Sequence, residues 1–378
     1  MMHRINVTNK TIKGFKYISL LASFFILISC QKEKQQKYGP SSTIDFANVT
    51  IKEIESFVPS IFPDSSIQYL NLDPGSEHKI KSISKAVVKD SLIYILDFKQ
   101  NSLLFFHKSG KLLKILSASA LNLSKIHDFQ INNNNLIILD AKSDFLRVFS
   151  LDPTPKIIET IKPDYEISTF YNLPNGDFLA YTSPWNKKDY DQILLTDRHF
   201  KPKKSYFKRE IKEDENYILS SNYIYPYQGG LYYASPAFNK LVYFDKSGNI
   251  KMIYNFEFNE DINPKYLGDL QKFKKELNTI KFVNGYCFVT DSIILGDIAH
   301  GLNTPAAFYY VKSDNTIYME KNKYSTILSN KVGSTENGLI TMIYPGQYEI
   351  IKDSPLIPKN VKEHLKSGQY AISFITLD

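Results

Sequence analysis

Cysteine is nearly missing from this chain: 378 residues contain only two, Cys30 and Cys287. Two thiols cannot build a disulfide framework or a thiolate zinc cluster. Tryptophan occurs once, at Trp185. No GxSxG elbow, HExxH pair, phosphate-binding glycine loop or D-x-D-x-D-G calcium loop is present. The main local signatures of acyl transfer, zinc hydrolysis and nucleotide binding are therefore absent, and no cofactor or metal is predicted. The charge imbalance is small. With 46 basic and 39 acidic residues the net charge is +7, and no basic block marks a nucleic-acid surface. After residue 30 no apolar run is long enough to span a bilayer.

What the chain does have begins at its start. Residues 1–16 carry Arg4, Lys10, Lys13 and Lys16 and no acid, and residues 17–29, YISLLASFFILIS, are almost wholly apolar. At about 1.5 Å per helical residue this run is too short to cross a membrane comfortably. A basic start followed by a short apolar core reads as a secretory signal. Leu27-Ile28-Ser29-Cys30 resembles a bacterial lipobox, which implies removal of residues 1–29 and a lipid anchor on Cys30. That cut removes four positive charges and leaves +3. Gln31-Lys32-Glu33 is similar to the surface-export tag of Bacteroidetes-type lipoproteins. The expected address is an outer-membrane lipoprotein facing the cell surface or the periplasm. Residues 30–47 are expected to be a flexible tether, because a polar run buries too little apolar area to fold.

The remainder is rich in strand formers, with 26 Tyr and 25 Phe. It also repeats. Phe106-His107-Lys108-Ser109-Gly110, Phe244-Asp245-Lys246-Ser247-Gly248 and Tyr310-Val311-Lys312-Ser313-Asp314 each join two apolar runs through a tight polar turn. Gly110 and Gly248 suit positive φ, which Asp314-Asn315 also tolerates. The preceding strand recurs as LIYILD, LIILD, FLAYTS, LYYAS, IILGD and LITMIY, starting at Leu92, Leu136, Phe178, Leu231, Ile293 and Leu339. Most of these spacings fit four short strands plus turns. Six such units predict an all-β, six-bladed propeller over residues 48–378. The longest interval contains Asn263-Pro264 followed by Leu267, Leu270, Phe273 and Leu277, the spacing of a helix between blades four and five. A second short helix is expected from Pro358 to Lys366, before a last strand from Tyr370 to Leu377. Blade six then lacks one strand. Ile67 to Leu72 is expected to supply it and close the ring, with Val49 to Val58 as the competitor.

These six units, the lipobox and the F-x-K-S-G turn resemble the six-bladed β-propeller lipoproteins of Bacteroides-type bacteria, which are similar to NHL-repeat and TolB-like propellers. The resemblance implies the architecture and no particular activity. Blade three departs from it, with Trp185-Asn186-Lys187-Lys188 lengthening a loop and no glycine in the turn after Leu195. Blade two departs as well, with Asp152-Pro153-Thr154-Pro155 in place of the glycine turn. Asp90-Ser91-Leu92 and Asp291-Ser292-Ile293 resemble the O-glycosylation acceptor of such bacteria, and are equally ordinary turn pairs.

Ligands of a propeller are expected at the channel or in the rim loops. His127 and Asp128 lie on the expected innermost strand of blade two. Adjacent strand residues point to opposite faces, so only a bulge would turn both inward. Asp297 and His300 are expected in a rim loop, GDIAHGLNTP. Trp185, in SPWNKKDYD, could stack on a sugar or anchor a protein. Tyr223, Tyr225 and Tyr227 alternate on one strand face and suit inter-blade packing. Cys287, in YCFVT, reads as buried filler. Three functions fit: a binding or scaffolding module for a protein or glycan partner, a propeller hydrolase or lyase, and an accessory to an outer-membrane nutrient importer.

Overall fold

The computed structural model describes residues 38–54, 66–141, 145–183, 190–208, 224–235, 239–259, 270–301, 306–320, 328 and 330–377. Residues 40–378 form one compact unit. Three strands precede the first complete blade: β1 (Ser41–Asp45), β2 (Thr50–Ile54) and β3 (Ile67–Asn71). Blade one is β4 (Ile83–Lys89), β5 (Leu92–Asp97), β6 (Ser102–His107) and β7 (Leu112–Ser117). Blade two is β8 (Ile126–Asn132), β9 (Asn135–Asp140), β10 (Phe145–Ser150) and β11 (Ile157–Ile161). Blade three is β12 (Ile167–Asn172), β13 (Phe178–Thr182), β14 (Ile193–Thr196) and β15 (Pro202–Tyr206). Blade four is β16 (Ile224–Tyr227), β17 (Gly230–Ser235), β18 (Lys240–Phe244) and β19 (Ile250–Glu257). Helix α1 (Leu270–Glu276) follows in the chain, and residues 260–269, where the expected helix starts, lie outside the described ones. Blade five is β20 (Lys281–Val289), β21 (Ile293–His300), β22 (Ala306–Val311) and β23 (Thr316–Glu320). Blade six begins with β24 (Lys331–Thr335) and β25 (Gly338–Ile343), passes through α2 (Tyr348–Ile351) and α3 (Lys359–Lys366), and returns as β26 (Ala371–Thr376).

The ring closes as the first of the two candidate strands requires: β3 pairs antiparallel with β26, Ala371 opposite Asn71. The competitor does something else. β2 adds in parallel to β23, and β1 adds in parallel to β19. The stretch through residue 47 is therefore not all tether, because residues 41–45 are a strand. Between β1 and β2, Phe46 buries its ring against Phe256 and Phe258 of blade four and Phe308 and Tyr310 of blade five, at 5.3–5.5 Å between centroids. The strap covers two sheet edges that would otherwise present unpaired backbone groups.

Each blade is buried on both faces by its neighbours, which explains why β5, LIYILD, is apolar almost throughout rather than alternating. Ile93, Ile95 and Phe106 of blade one pack with Val332, Ile340 and Ile372 of blade six. Tyr94 and Phe105 face Phe129 and Ile131 of blade two. The aspartates that end β5 and β9 are buried clamps on the chain entering each blade. Asp97 accepts from Lys81 N and Ser82 N at 2.7 and 3.1 Å, and Asp140 accepts from Lys125 N at 3.1 Å and from Ser124 N and Oγ.

The irregular turns have local explanations. Gly110 and Gly248 sit at φ +88° and +78°, and Asn315 takes the same place at +50°. In blade three that place belongs to Phe200, at φ +60°. A left-handed bulky residue costs about 1–2 kcal/mol. Here the fold holds it by stacking the ring 4.5 Å from Phe178 and edge-on to Phe170. In blade two the proline-rich turn closes with Ser150 N donating to Lys156 O at 3.0 Å.

Candidate functional site: the channel mouth

Three innermost strands begin alike: Ile83-Ser84-Lys85, Ile126-His127-Asp128 and Ile167-Ser168-Thr169. In each, the register slips at the middle residue, a β-bulge that blade six repeats between Lys331 and Gly333. The third residue of the middle triplet, Asp128, meets the third residue of each of the other two. Lys85 Nζ lies 2.6 Å from Asp128 Oδ1, and Thr169 Oγ1 donates to Asp128 Oδ2 at 2.6 Å. Asp128 also accepts from Phe129 N and Phe170 N, at 2.8 and 3.2 Å. The carboxylate is almost fully buried and fully occupied. It ties three blades together rather than standing ready as a base.

Above this tie a cavity of about 310 Å³ opens toward the rim that carries the turns between first and second strands. Blade one lines it with Lys85, blade three with Tyr171, blade five with Tyr286, and blade six with Ser334, Thr335 and Glu336. Blades four and six meet directly beside it. Ser334 Oγ donates to Pro226 O at 2.7 Å, Gln228 N donates to Glu336 O at 2.8 Å, and Gly229 N donates to Glu336 Oε2 at 2.6 Å. Gly333 permits the approach on the other side, since a Cβ there would meet Ala86 O at 2.3 Å. Tyr171 and Tyr286 both line the cavity, and among the described residues neither hydroxyl makes a hydrogen bond. Burial pushes both phenols above their ordinary range. The Glu336 charge adds to this at Tyr171, and the Asp128 charge does so at Tyr286. Both therefore remain neutral donors at physiological pH.

The residues singled out from sequence are scattered. A bulge does intervene at His127, yet it leaves the imidazole exposed while Asp128 is buried, so they form no acid–histidine pair. Trp185 lies outside the described residues, as does Tyr223. Asp297 and His300 are not in a loop: β21 runs through His300, with Asp297 opposite Ala307 and His300 opposite Lys281. Three strand positions apart, they point to opposite faces, and His300 is exposed at the strand end. Asp297 instead meets Lys331 of blade six at 2.5 Å, an amine whose side chain is only 2% exposed. Burial raises the Asp297 carboxyl despite that partner. Cys287 is buried, and desolvation raises its thiol well above the usual range. Tyr225 and Tyr227 pack between blades: Tyr225 OH donates to Cys287 O at 2.5 Å and accepts from Cys287 N at 2.8 Å, and Tyr227 OH donates to Leu377 O at 3.3 Å. Among the described residues no group of three or more His, Cys, Asp or Glu side chains is placed to hold a metal.

Sequence reasoning missed Lys85, Tyr171, Tyr286 and Glu336. The triplet Ile-x-polar at the head of blades one to three was the available signal for Lys85. Nothing local marks the two tyrosines among 26.

A six-bladed β-propeller family model, DUF5128, matches residues 32–336. The chain belongs to this family. The match ends within blade six, in the turn that carries Glu336. Two solved structures share the propeller's fold. One is a protein of Bacteroides fragilis described as exported, with a TM-score of 0.65 and 13% identity over 89% of this chain and 100% of the other. The second, a DUF4221 family member from Bacteroides vulgatus, has a TM-score of 0.50 and 8% identity over 83% and 99%. At such identities the likeness concerns architecture alone. None of the curated proteins matches the chain.

Proposed function

We propose that this propeller is an exported, lipid-anchored binding module whose channel mouth takes a hydroxyl-rich ligand, a sugar unit of a glycan. The observation that carries the reading is the pair of tyrosines, Tyr171 and Tyr286, lining the cavity of about 310 Å³ together with Lys85 and Glu336. Neutral donors and acceptors on an aromatic wall suit a polyol, and a half-open cavity of this size suits one ring of it. Hydrolysis or elimination would require a titratable pair at that mouth. Its described walls hold no histidine, Glu336 is engaged by Gly229 N, and Lys85 and the Asp128 carboxylate are held in the three-blade tie.

The address rests on the opening residues: a basic start, a short apolar core and Leu27-Ile28-Ser29-Cys30. The Bacteroides fragilis neighbour, described as exported, is consistent with it. Cys30 carries the lipid in this reading, on the outer membrane. Radioactive palmitate should label the protein in cells and fail to label the Cys30→Ala variant. Equal labelling of both would remove the anchor.

Binding is tested by applying the chain from residue 31 onward to a glycan array and measuring the retained glycans by calorimetry. A Tyr171→Phe/Tyr286→Phe variant keeps both rings and removes both hydroxyls. It should bind about tenfold or more weakly, the loss expected when two hydrogen bonds disappear. Undiminished binding by that variant, or no glycan retained, overturns the glycan reading.

A further inference from the structure

The outermost strands of four blades carry the same bulge, filled differently. The unopposed residue is Leu113 in blade one, Ile158 in blade two, Lys203 in blade three and Lys251 in blade four. Lys203 turns back to Asp177 at 2.7 Å, and Lys251 lies 3.9 Å from Asp245. Leu113 and Ile158 are 55% and 57% exposed. The geometry thus accepts lysine, yet two neighbouring blades put a bare aliphatic side chain there. Of the seven large apolar side chains exposed among the described residues, four are on these two strands: Leu113, Ile115, Ile157 and Ile158. Scattered apolar residues on a surface need no explanation, whereas a concentration on adjacent edges does.

The edges of blades three, four and five are managed. β1 covers blade four, β2 covers blade five, and β15 carries Pro202, Lys203 and Lys204. By contrast β11, IIETI, ends its sheet uncovered, and β7, LLKILS, is bridged at its start, where Leu112 N donates to Asp73 O at 3.0 Å, and ends its sheet from Leu113 onward. The two edges adjoin, since Lys114 Nζ of β7 donates to Pro153 O and Asp152 O in the turn leading to β11, at 2.7 and 3.2 Å. Exposed Lys111, Lys156 and Lys162 surround the apolar residues together with Lys114. Of the nearby acids, Glu159 is engaged by His199 at 3.1 Å, and the exposed Asp152 carboxylate lies beside Lys114. The patch is therefore apolar at its centre, and its margin, with four lysines against two acids, is net basic.

We propose that the outer edges of blades one and two are a docking surface for an extended, acidic segment of a partner protein. Such a segment would lie as an added strand, apolar side chains on Leu113 and Ile158 and carboxylates toward the lysine border. The molecule already uses this mode internally, in the strap that pairs with blades four and five. This surface lies on the outer edges, apart from the channel mouth, and stands or falls independently of it.

The test uses the chain from residue 31 onward and a Leu113→Lys/Ile158→Lys variant, which installs the residues blades three and four carry at that place and should fold unchanged. The probes are two short synthetic peptides, alternating valine with glutamate and valine with lysine, read by fluorescence anisotropy. The acidic peptide should bind, the basic one should not, and the variant should bind the acidic peptide about tenfold more weakly, as for loss of an interface hot spot. Superimposable circular dichroism melts of the two proteins show that the fold is retained. Equal affinity for both peptides, no binding of either, or undiminished binding by the variant overturns the proposal. Concentration-dependent dimerisation abolished by the variant, with no peptide bound, also overturns it and assigns the surface to a second copy of the chain.

Discussion

Lys85 and Asp128 are 43 residues apart in sequence and 2.6 Å apart in space. Each follows a bulge at the head of an innermost strand, and Thr169 of blade three completes the tie. A buried carboxylate with four partners is a keystone: removing it strands an ammonium and two backbone N–H groups.

Asp128→Ala should therefore cost about 3–5 kcal/mol, the range for breaking a largely buried ion pair by deleting one partner. Guanidinium unfolding measures it. A loss under about 1 kcal/mol would show that the tie is solvent-screened like a surface pair.

Phe46 joins the strap to two blades at once. Phe46→Ala should cost about 3–5 kcal/mol. Amide exchange should then accelerate in Ser41–Asp45 and Thr50–Ile54 before the rest of the ring. Uniform exchange with unchanged stability would mean that the strap contributes nothing to holding blades four and five together.

At Phe200 the ring and the backbone make opposed demands. Removing the ring costs about 3–5 kcal/mol, but glycine relieves the left-handed backbone by about 1–2 kcal/mol. Phe200→Gly should thus be less damaging than Phe200→Ala, reversing the usual order. Urea midpoints of the two variants decide it, and a more stable alanine variant would contradict the assignment of strain.

Asp297 gives a pH signature. Burial, partly offset by Lys331, raises its folded carboxyl pKa above the ordinary 3.8. The unfolded chain then releases this proton first, so the native state binds more protons, and stability falls as pH rises from about 4 through the raised value. Below the ordinary carboxyl value both states are protonated and the penalty vanishes. Relative to Asp297→Asn, the natural chain should lose stability across that window in urea titrations. A relative gain over the same range would mean that Lys331 outweighs desolvation.

The fold was largely legible and the site was not. The turns at Gly110 and Gly248 and the strand heads from Leu92 to Leu339 are short-range signals, since a turn demanding positive φ and an apolar run buried on both faces each write themselves in a few residues. Even Phe200, which hid one turn, left the flanking strands readable. Of the strap, β2 was read only as a competing closing strand and β1 as tether, because SSTID and TIKEI are short and largely polar. Their stability comes from backbone pairing with strands over 200 residues away, which no local pattern announces. Asp297 and His300 looked like a loop because Gly296 and Gly301 bracket them, whereas cross-strand bonds to β20 and β22 hold the segment extended. His127 drew attention as a titratable residue, while the working polar positions were the unremarkable Lys85 and Thr169.

By itself the sequence determined how many blades there are and narrowed the closing strand to two candidates, because each blade is a local object roughly one repeat long. Only the tertiary structure decided what meets at the axis. Tyr171, Tyr286 and Glu336 come from different blades, and their proximity arises from the rotation between repeats, a relation among distant residues that leaves no trace in any one stretch of chain.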